Sequence, residues 1–236
     1  MKKLLIIIPA YNEEKNIENT VEKLKDVKLK NYKIDYIIIN DGSKDNTLNV
    51  CKKNNYNVIN LICNLGIGGA VQTGYKYAYY NDYDIAIQFD GDGQHDEKYI
   101  ANLIYEIEQG YNMVIGSRFV KKLSKFRSTS SRQLGIKILS LFINIFGNYK
   151  IYDPTSGFRA VDKECIKLFQ DNYPIEYPEP SSTVDILKNN LKIKEIPVEM
   201  HERKYGKSSI NLQKSIYYMF SVCIAIIVAG LKRSKV

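Results

Sequence analysis

The sequence predicts an α/β protein built on a mainly parallel, doubly wound sheet with helices on both faces. Short runs rich in Ile and Val alternate with helix-length segments through the first half of the 236-residue chain. These runs are almost continuously apolar, as strands covered on both faces are. Each is followed by a loop of acids, amides, glycines or an arginine, at the strand ends where such sheets bind ligands.

The strand candidates are residues 4–8, 34–40, 58–62, 85–89 and 113–116, with helical segments at 14–25, 46–54, 68–80 and 97–109. Each helical segment is long enough to cross back over a parallel sheet. The opening Met1-Lys2-Lys3-Leu4-Leu5-Ile6-Ile7-Ile8-Pro9 has too short an apolar run for a signal peptide and no cleavage-site pattern, so it reads as the first strand. Residues 119–131 are basic and serine-rich, with Lys121, Lys122, Lys125 and Arg127, and read as a mobile loop. Residues 133–146 carry more apolar surface than one core-facing stripe requires. Asp153 to Ala160 reads as a polar turn into a short strand, residues 182–190 as a helix, and 193–200 as a strand that Pro197 places at a sheet edge.

A basic loop follows at 201–209, and residues 216–231 form an apolar helix closed by Lys232, Arg233 and Lys235. That helix reaches only about 24 Å, short of the roughly 30 Å hydrocarbon core of a bilayer. A single span would also put the basic tail on the outer side, against the usual charge bias. The helix is therefore expected to lie in the membrane interface or pack on a small membrane partner, with a buried core helix as the plainer alternative. The domain reading is a catalytic unit over 1–209 and a membrane-associating helix with a basic tail over 210–236.

A net charge of +8 from 34 scattered basic residues favours a phosphate-bearing ligand or an anionic membrane surface. No zinc-finger, RNP or helix-turn-helix pattern points to nucleic acid. Cys51, Cys63, Cys165 and Cys223 show no CxxC spacing and read as reduced, mostly buried thiols of a cytosolic protein.

The densest chemistry lies in Gln88-Phe89-Asp90-Gly91-Asp92-Gly93-Gln94-His95-Asp96. A buried strand ending in acids and glycines can hold a divalent cation, and hard carboxylate and amide oxygens suit Mg²⁺ or Mn²⁺. The plainer reading is an acidic turn. Gly66-x-Gly68 falls short of a dinucleotide fingerprint, because Val71 stands where the third glycine belongs.

Pro9-Ala10-Tyr11-Asn12-Glu13, Asn40-Asp41-Gly42-Ser43, Asn64-Leu65-Gly66-Ile67-Gly68-Gly69-Ala70, Asp90-Gly91-Asp92-Gly93-Gln94-His95, Gly116-Ser117-Arg118 and Ser156-Gly157-Phe158-Arg159 occur in that order. Together they resemble the family 2 glycosyltransferases of the GT-A fold, and within them the branch of dolichyl-phosphate mannose synthase and related polyprenyl-phosphate glycosyltransferases. The resemblance runs from about Leu4 to Ser209.

It implies that Pro9, Tyr11, Glu13 and Asp41 line the nucleobase and ribose site, with Gly68 in the glycine loop of the same donor site. Asp90 and Asp92, with Gln94, would hold the metal that bridges the donor diphosphate, Asp90 also facing the ribose. Arg118 and Arg132 would meet acceptor or donor phosphates, and Arg203 belongs to a loop that closes over the nucleotide sugar. The implied reaction is metal-dependent inverting transfer from a UDP- or GDP-sugar to a membrane lipid, most naturally polyprenyl phosphate, on the cytoplasmic membrane face.

The pattern departs from the family at Asn40, where an Asp is frequent, and at Ile67, where a lysine is. No general base stands out: His95 is poorly suited beside a metal and Glu179 is a candidate. A lipid phosphate, already ionised at neutral pH, needs none. Two rival readings are the same chemistry on a non-lipid glycan acceptor, and a nucleotide-sugar-binding subunit of a membrane complex.

Overall fold

The computed structural model describes residues 1–120, 130–201 and 212–231, with residues 130–132 and 212–219 described by their backbone alone. The expected basic loops therefore fall largely outside the described residues, including Lys121, Lys122, Lys125, Arg127 and Arg203. The chain forms β1 (Lys2–Ala10), α1 (Ile17–Lys25), β2 (Tyr32–Asn40), α2 (Thr47–Lys53), β3 (Val58–Asn60), α3 (Gly66–Tyr80) and β4 (Ile85–Gln88). A short 3-10 turn, Glu97–Tyr99, then leads into α4 (Ile100–Glu108). After it come β5 (Met113–Ser117), α5 (Ser130–Gly147), β6 (Arg159–Asp162), α6 (Lys163–Asn172), α7 (Pro178–Lys188), β7 (Ile193–Pro197) and α8 (Leu212–Leu231).

The strands make one seven-stranded sheet in the order β3-β2-β1-β4-β6-β5-β7. β1 lies inside the sheet between β2 and β4, and its side chains alternate between two cores. Leu5 and Ile7 join Tyr75, Phe169, Val222 and Ile226 on one face, and Leu4, Ile6 and Ile8 join Ile17, Val21, Ile100 and Leu103 on the other. This alternation is why β1 reads as continuously apolar: successive residues point to opposite faces, and both are covered. Each fully buried Ile or Leu contributes about 1.5–3 kcal/mol relative to an exposed one.

Several boundaries differ from expectation. β1 runs through Pro9 to Ala10, in register with β2 to Asn40, because a proline near the strand end keeps its carbonyl, which accepts from the Gly91 N–H at 3.2 Å. β3 stops at Asn60, and Ile62 is fully exposed. α7 starts four residues before the expected helix, with Pro178 in its first turn and Tyr177 before it in the left-handed region at φ 51°.

The sheet is parallel except at β6, which runs antiparallel to both β4 and β5. α6 was not expected from the apolar pattern, although Asp162 caps it by accepting from the Cys165 N–H at 2.9 Å. β7 is an edge strand, as Pro197 implies. Cys51 and Cys165 are buried, Cys223 is partly exposed and Cys63 is exposed.

Candidate active site

The sheet order makes β2, β1 and β4 neighbours, so the loops after their carboxyl ends share one rim. The chain reverses its winding between β1 and β4, the topological switch point where open α/β sheets hold ligands. Because β6 is antiparallel, its first residue pairs with Gln88 and delivers the preceding turn, residues 153–158, to that same rim. β5 adds Ser117 and Arg118.

Asp90 begins the metal-candidate loop. Its Oδ1 accepts from Gln88 Nε2 at 3.1 Å, and its N–H donates to His95 Nδ1 at 3.1 Å. That bond makes Nδ1 the unprotonated nitrogen, so His95 Nε2, 3.5 Å from Asp90 Oδ2, carries the hydrogen. Burial pushes the His95 imidazole down to about 4, so it is neutral at pH 7. It is stacked on Phe158 at 4.7 Å and edge-on to Phe89 at 5.3 Å. His95 is thus a framing group rather than a base.

Asp92 Oδ1 accepts from the Gln94 N–H at 3.0 Å, while Gly93 takes φ +75°, a conformation glycine adopts without strain. Gln94 is tied to His201 twice: its carbonyl accepts from the His201 N–H at 2.8 Å and its Nε2 donates to the His201 carbonyl at 3.2 Å.

Gly157 faces this loop so closely that a Cβ there would lie 2.7 Å from Gln88 Nε2 and 2.9 Å from Asp90 Oδ2. A side chain at 157 would therefore crowd the Asp90 carboxylate and the Gln88 amide. Among the described residues no three His, Cys, Asp or Glu side chains form a ready-made cage. Asp90, Asp92 and the Gln94 amide carry hard oxygens on one short loop. That fits Mg²⁺ or Mn²⁺, which are commonly held by one or two carboxylates and completed by substrate phosphates.

The residues expected to meet the nucleotide lie on the loops after β1 and β2. Asn12 N–H donates to Ser43 Oγ at 2.9 Å and Asn12 Oδ1 accepts from the Lys44 N–H at 2.8 Å, which staples the two loops. Glu13 is buried, its N–H donating to Thr47 Oγ1 at 2.8 Å and its carboxylate accepting from Asn16 Nδ2 at 2.7 Å. Asp41 is buried and accepts from the Leu65 N–H at 2.7 Å, just ahead of α3. Burial raises the Asp41 carboxyl, and the backbone N–H groups of Leu65 and Gly66 pull it partly back. Tyr11 is 42% exposed beside Pro9 and free to meet a ring.

Gly68 lies in the first turn of α3. A Cβ on it would run into the carbonyl oxygens of Pro174 and Ile175, so its lack of a side chain is explained by close packing of α3 on the loop before α7.

Arg118 is nearly buried, and its guanidinium is committed to Asp153. Nε donates to Oδ2 and Nη2 to Oδ1, both at 2.7 Å, and the Arg118 N–H adds a third bond at 3.0 Å. Burial works against the Arg118 charge, but Asp153 raises its pKa further. The Arg132 backbone lies in the first turn of α5, its side chain outside the described atoms, and Arg203 lies outside the described residues.

The sequence shows Asp153 and Arg159 only as members of a turn and a motif, and does not show what they bind. Arg159, 1% exposed, sends its hydrogen bonds to neutral oxygens: Nε to Ser156 O at 2.7 Å, Nη2 to Pro154 O at 3.1 Å, and Nη1 to Glu179 O at 2.8 Å and to the Ser182 and Thr183 hydroxyls at 3.1 Å. A buried guanidinium leaves no periodic trace, because charged residues are ordinarily read as surface. Asp153 at the head of a turn reads as turn chemistry.

Residues 5–169 match the family described as Glycosyl transferase family 2. The UDP-N-acetylglucosamine–dolichyl-phosphate N-acetylglucosaminyltransferase of Methanococcus voltae is 36% identical over 87% of this chain and 88% of that protein. The polyprenol monophosphomannose synthase of Mycolicibacterium smegmatis is 24% identical over 94% of this chain and 86% of that protein. In fold, glucosyl-3-phosphoglycerate synthase from Mycobacterium tuberculosis, crystallised with Mn²⁺, UDP and phosphoglyceric acid, superposes with a TM-score of 0.71 at 15% identity, covering 99% of this chain and 80% of that one. With Asp90 and Asp92 just after β4 at the switch point of a GT-A sheet, and the family's sequence pattern covering most of that sheet, the chain belongs to glycosyltransferase family 2 and is a transferase.

Proposed function

We propose that the protein is a metal-dependent inverting glycosyltransferase that moves a sugar from a nucleotide diphosphate to polyprenyl phosphate. The observation that carries this reading is the loop of Asp90, Asp92 and Gln94 directly after β4, at the switch point of the sheet, with Gly157 packed against the Asp90 carboxylate. Two carboxylates and an amide on one loop are too few to enclose a divalent cation, which leaves coordination positions for a diphosphate. A bound Mg²⁺ or Mn²⁺ would offset the charge that grows on the leaving nucleoside diphosphate.

The chain's own residues supply the rest. Tyr11, Glu13 and Asp41 frame the nucleoside end, and the stapled loops hold that frame rigid before binding. Arg118 stands at the end of β5, held in one orientation by Asp153, which offsets its charge. The acceptor phosphate is already ionised near neutrality, so its oxygen attacks the anomeric carbon without giving up a proton. Relatives named for dolichyl-phosphate and polyprenol acceptors support the lipid, and the Methanococcus voltae relative makes UDP-N-acetylglucosamine the first donor to test.

Membrane seating comes from adjoining helices. On α5, Leu134, Ile138, Leu141 and Ile145 are exposed, and on α8, Phe220, Ile224, Val228 and Leu231. Each set follows helical spacing, forming a stripe. The helices touch, since a Cβ on Gly230 would meet Phe146 at 2.5 Å. Among the described residues no helix is long and apolar enough to cross a membrane. Two apolar stripes on packed helices suit the interfacial layer of the cytoplasmic leaflet, with residues 210–236 as the membrane-associating part.

Incubation with polyprenyl phosphate and a panel of radiolabelled nucleotide sugars, with Mn²⁺ or Mg²⁺, tests the reading. Label should pass to the organic phase with one donor; no transfer from any donor overturns it.

A further inference from the structure

We propose that Glu179 is a sugar-reading residue, whose carboxylate accepts hydrogen bonds from the donor sugar's hydroxyl or amide groups. This inference rests on the glycosyltransferase reading above and adds the residue that distinguishes one donor sugar from another.

The argument begins with the backbone. Glu179 lies between Pro178 and Pro180 in the first turn of α7, so its neighbours on both sides have φ fixed by their rings. Its carbonyl accepts from Arg159 Nη1 and Thr183 Oγ1, both at 2.8 Å, and from Ser182 Oγ at 3.2 Å. Arg159 is a fully buried charge whose hydrogen bonds clasp two segments, the turn that carries Asp153 and Gly157 and the first turn of α7. Burying an arginine on neutral oxygens is expensive. Here the clasp fixes the position of an acid relative to the Asp90 loop.

The side chain then decides the ligand. Glu179 is half-buried. It interacts electrostatically with Asp90 and Arg159, and Arg118 with it. Gln88, which donates to Asp90 Oδ1 at 3.1 Å, also steadies the Glu179 carboxylate. A carboxylate in that position repels a phosphate, so it serves neither the diphosphate nor the acceptor headgroup directly. As an acceptor-only group it suits hydroxyl or amide N–H donors. In a donor whose diphosphate sits at Asp90 and Asp92, the group bearing such donors next to the phosphates is the sugar. Rigid support is what such a reader needs, because selectivity is lost when the acceptor can follow the wrong epimer.

The test uses the full chain and compares binding of UDP with binding of UDP-sugars, each with Mn²⁺, by thermal stabilisation and titration. Glu179→Gln is isosteric and should leave the melting temperature and UDP affinity within about twofold of the parent. It should weaken UDP-N-acetylglucosamine roughly 10- to 100-fold, the range a hydrogen bond to a charged group is worth, and flatten the preference between UDP-N-acetylglucosamine and its 4-epimer. Glu179→Asp keeps the charge but withdraws it from a backbone that cannot follow, and should show the same sign of change. Equal losses for UDP and UDP-sugar would assign Glu179 to the metal and diphosphate site and overturn the proposal. So would unchanged discrimination in both variants. Failure of the parent to glycosylate polyprenyl phosphate, with sugar discrimination intact, would instead overturn the acceptor reading.

Discussion

Asp92 and Asp153 are both carboxylates at the sheet rim, yet their surroundings give them different work. Asp92 Oδ1 accepts the Gln94 N–H of its own loop, a bond an amide oxygen also accepts. Asp92→Asn should therefore leave the apo melting temperature nearly unchanged while abolishing both the thermal shift given by UDP with Mn²⁺ and turnover. EDTA added to the parent should erase the same shift. A shift that survives in Asp92→Asn would remove Asp92 from the metal site. Asp153 is fully buried against Arg118, and removing it strands a guanidinium. Asp153→Ala should destabilise by about 3–5 kcal/mol, the usual loss when one member of a buried pair is deleted. A calorimetric melting temperature lowered by roughly 6–20 °C is the expected readout for a chain of this size.

At the scale of elements, the two glycines that open α3 separate conformation from packing. Gly66 takes φ +78° with open space around its missing Cβ, whereas a Cβ on Gly68 meets the backbone before α7. Gly66→Ala should cost about 1–3 kcal/mol of backbone strain and leave the site in place. Gly68→Ala must push residues 174–175 away, and with them the first turn of α7 that carries Glu179. It should lower the rate of sugar transfer as well as stability. Equal activity in the two variants at matched temperatures below melting would show that α7 is not coupled to α3.

The elements also show where the pattern was legible. β1, β2, β4 and β5 announce themselves because two cores cover both faces, so almost every residue must be apolar. β6 has four residues, begins with a buried arginine and ends with a helix cap, and offers no periodic signal. Of the donor site, the Asp90 loop and the β1 and β2 loops could be placed from their strand ends. The Asp153–Arg118 pair and the Arg159 clasp could not, because each joins residues about 20 to 35 positions apart through a turn.

For the whole molecule, the sheet, the rim and the paired helices make a polar site above a surface with an apolar flank. Leu141→Glu combined with Ile145→Glu on α5, or Ile224→Glu on α8, should abolish co-sedimentation with anionic vesicles while leaving melting and UDP binding alone. Each exposed side chain transferred to the interface contributes on the order of 1.5–3 kcal/mol, so one charged replacement should reduce partitioning tenfold or more. Unchanged partitioning in all variants would mean that this flank is not the membrane face.

The α/β class, the parallel winding of the first half and the loops that carry the chemistry are legible in the order of residues, because burial on two faces and ligand binding at strand ends both leave local signatures. That order also places the candidate metal ligands, since Asp90, Asp92 and Gln94 occupy one short loop. How those acids are supported follows from contacts between distant parts of the chain. The antiparallel β6 carries Gly157 and Arg159 to the rim, Asp153 neutralises Arg118, and two prolines with a buried guanidinium hold Glu179 beside Asp90. Those relations depend on strand direction and on charges buried together, and neither is encoded in the order of residues along any single element.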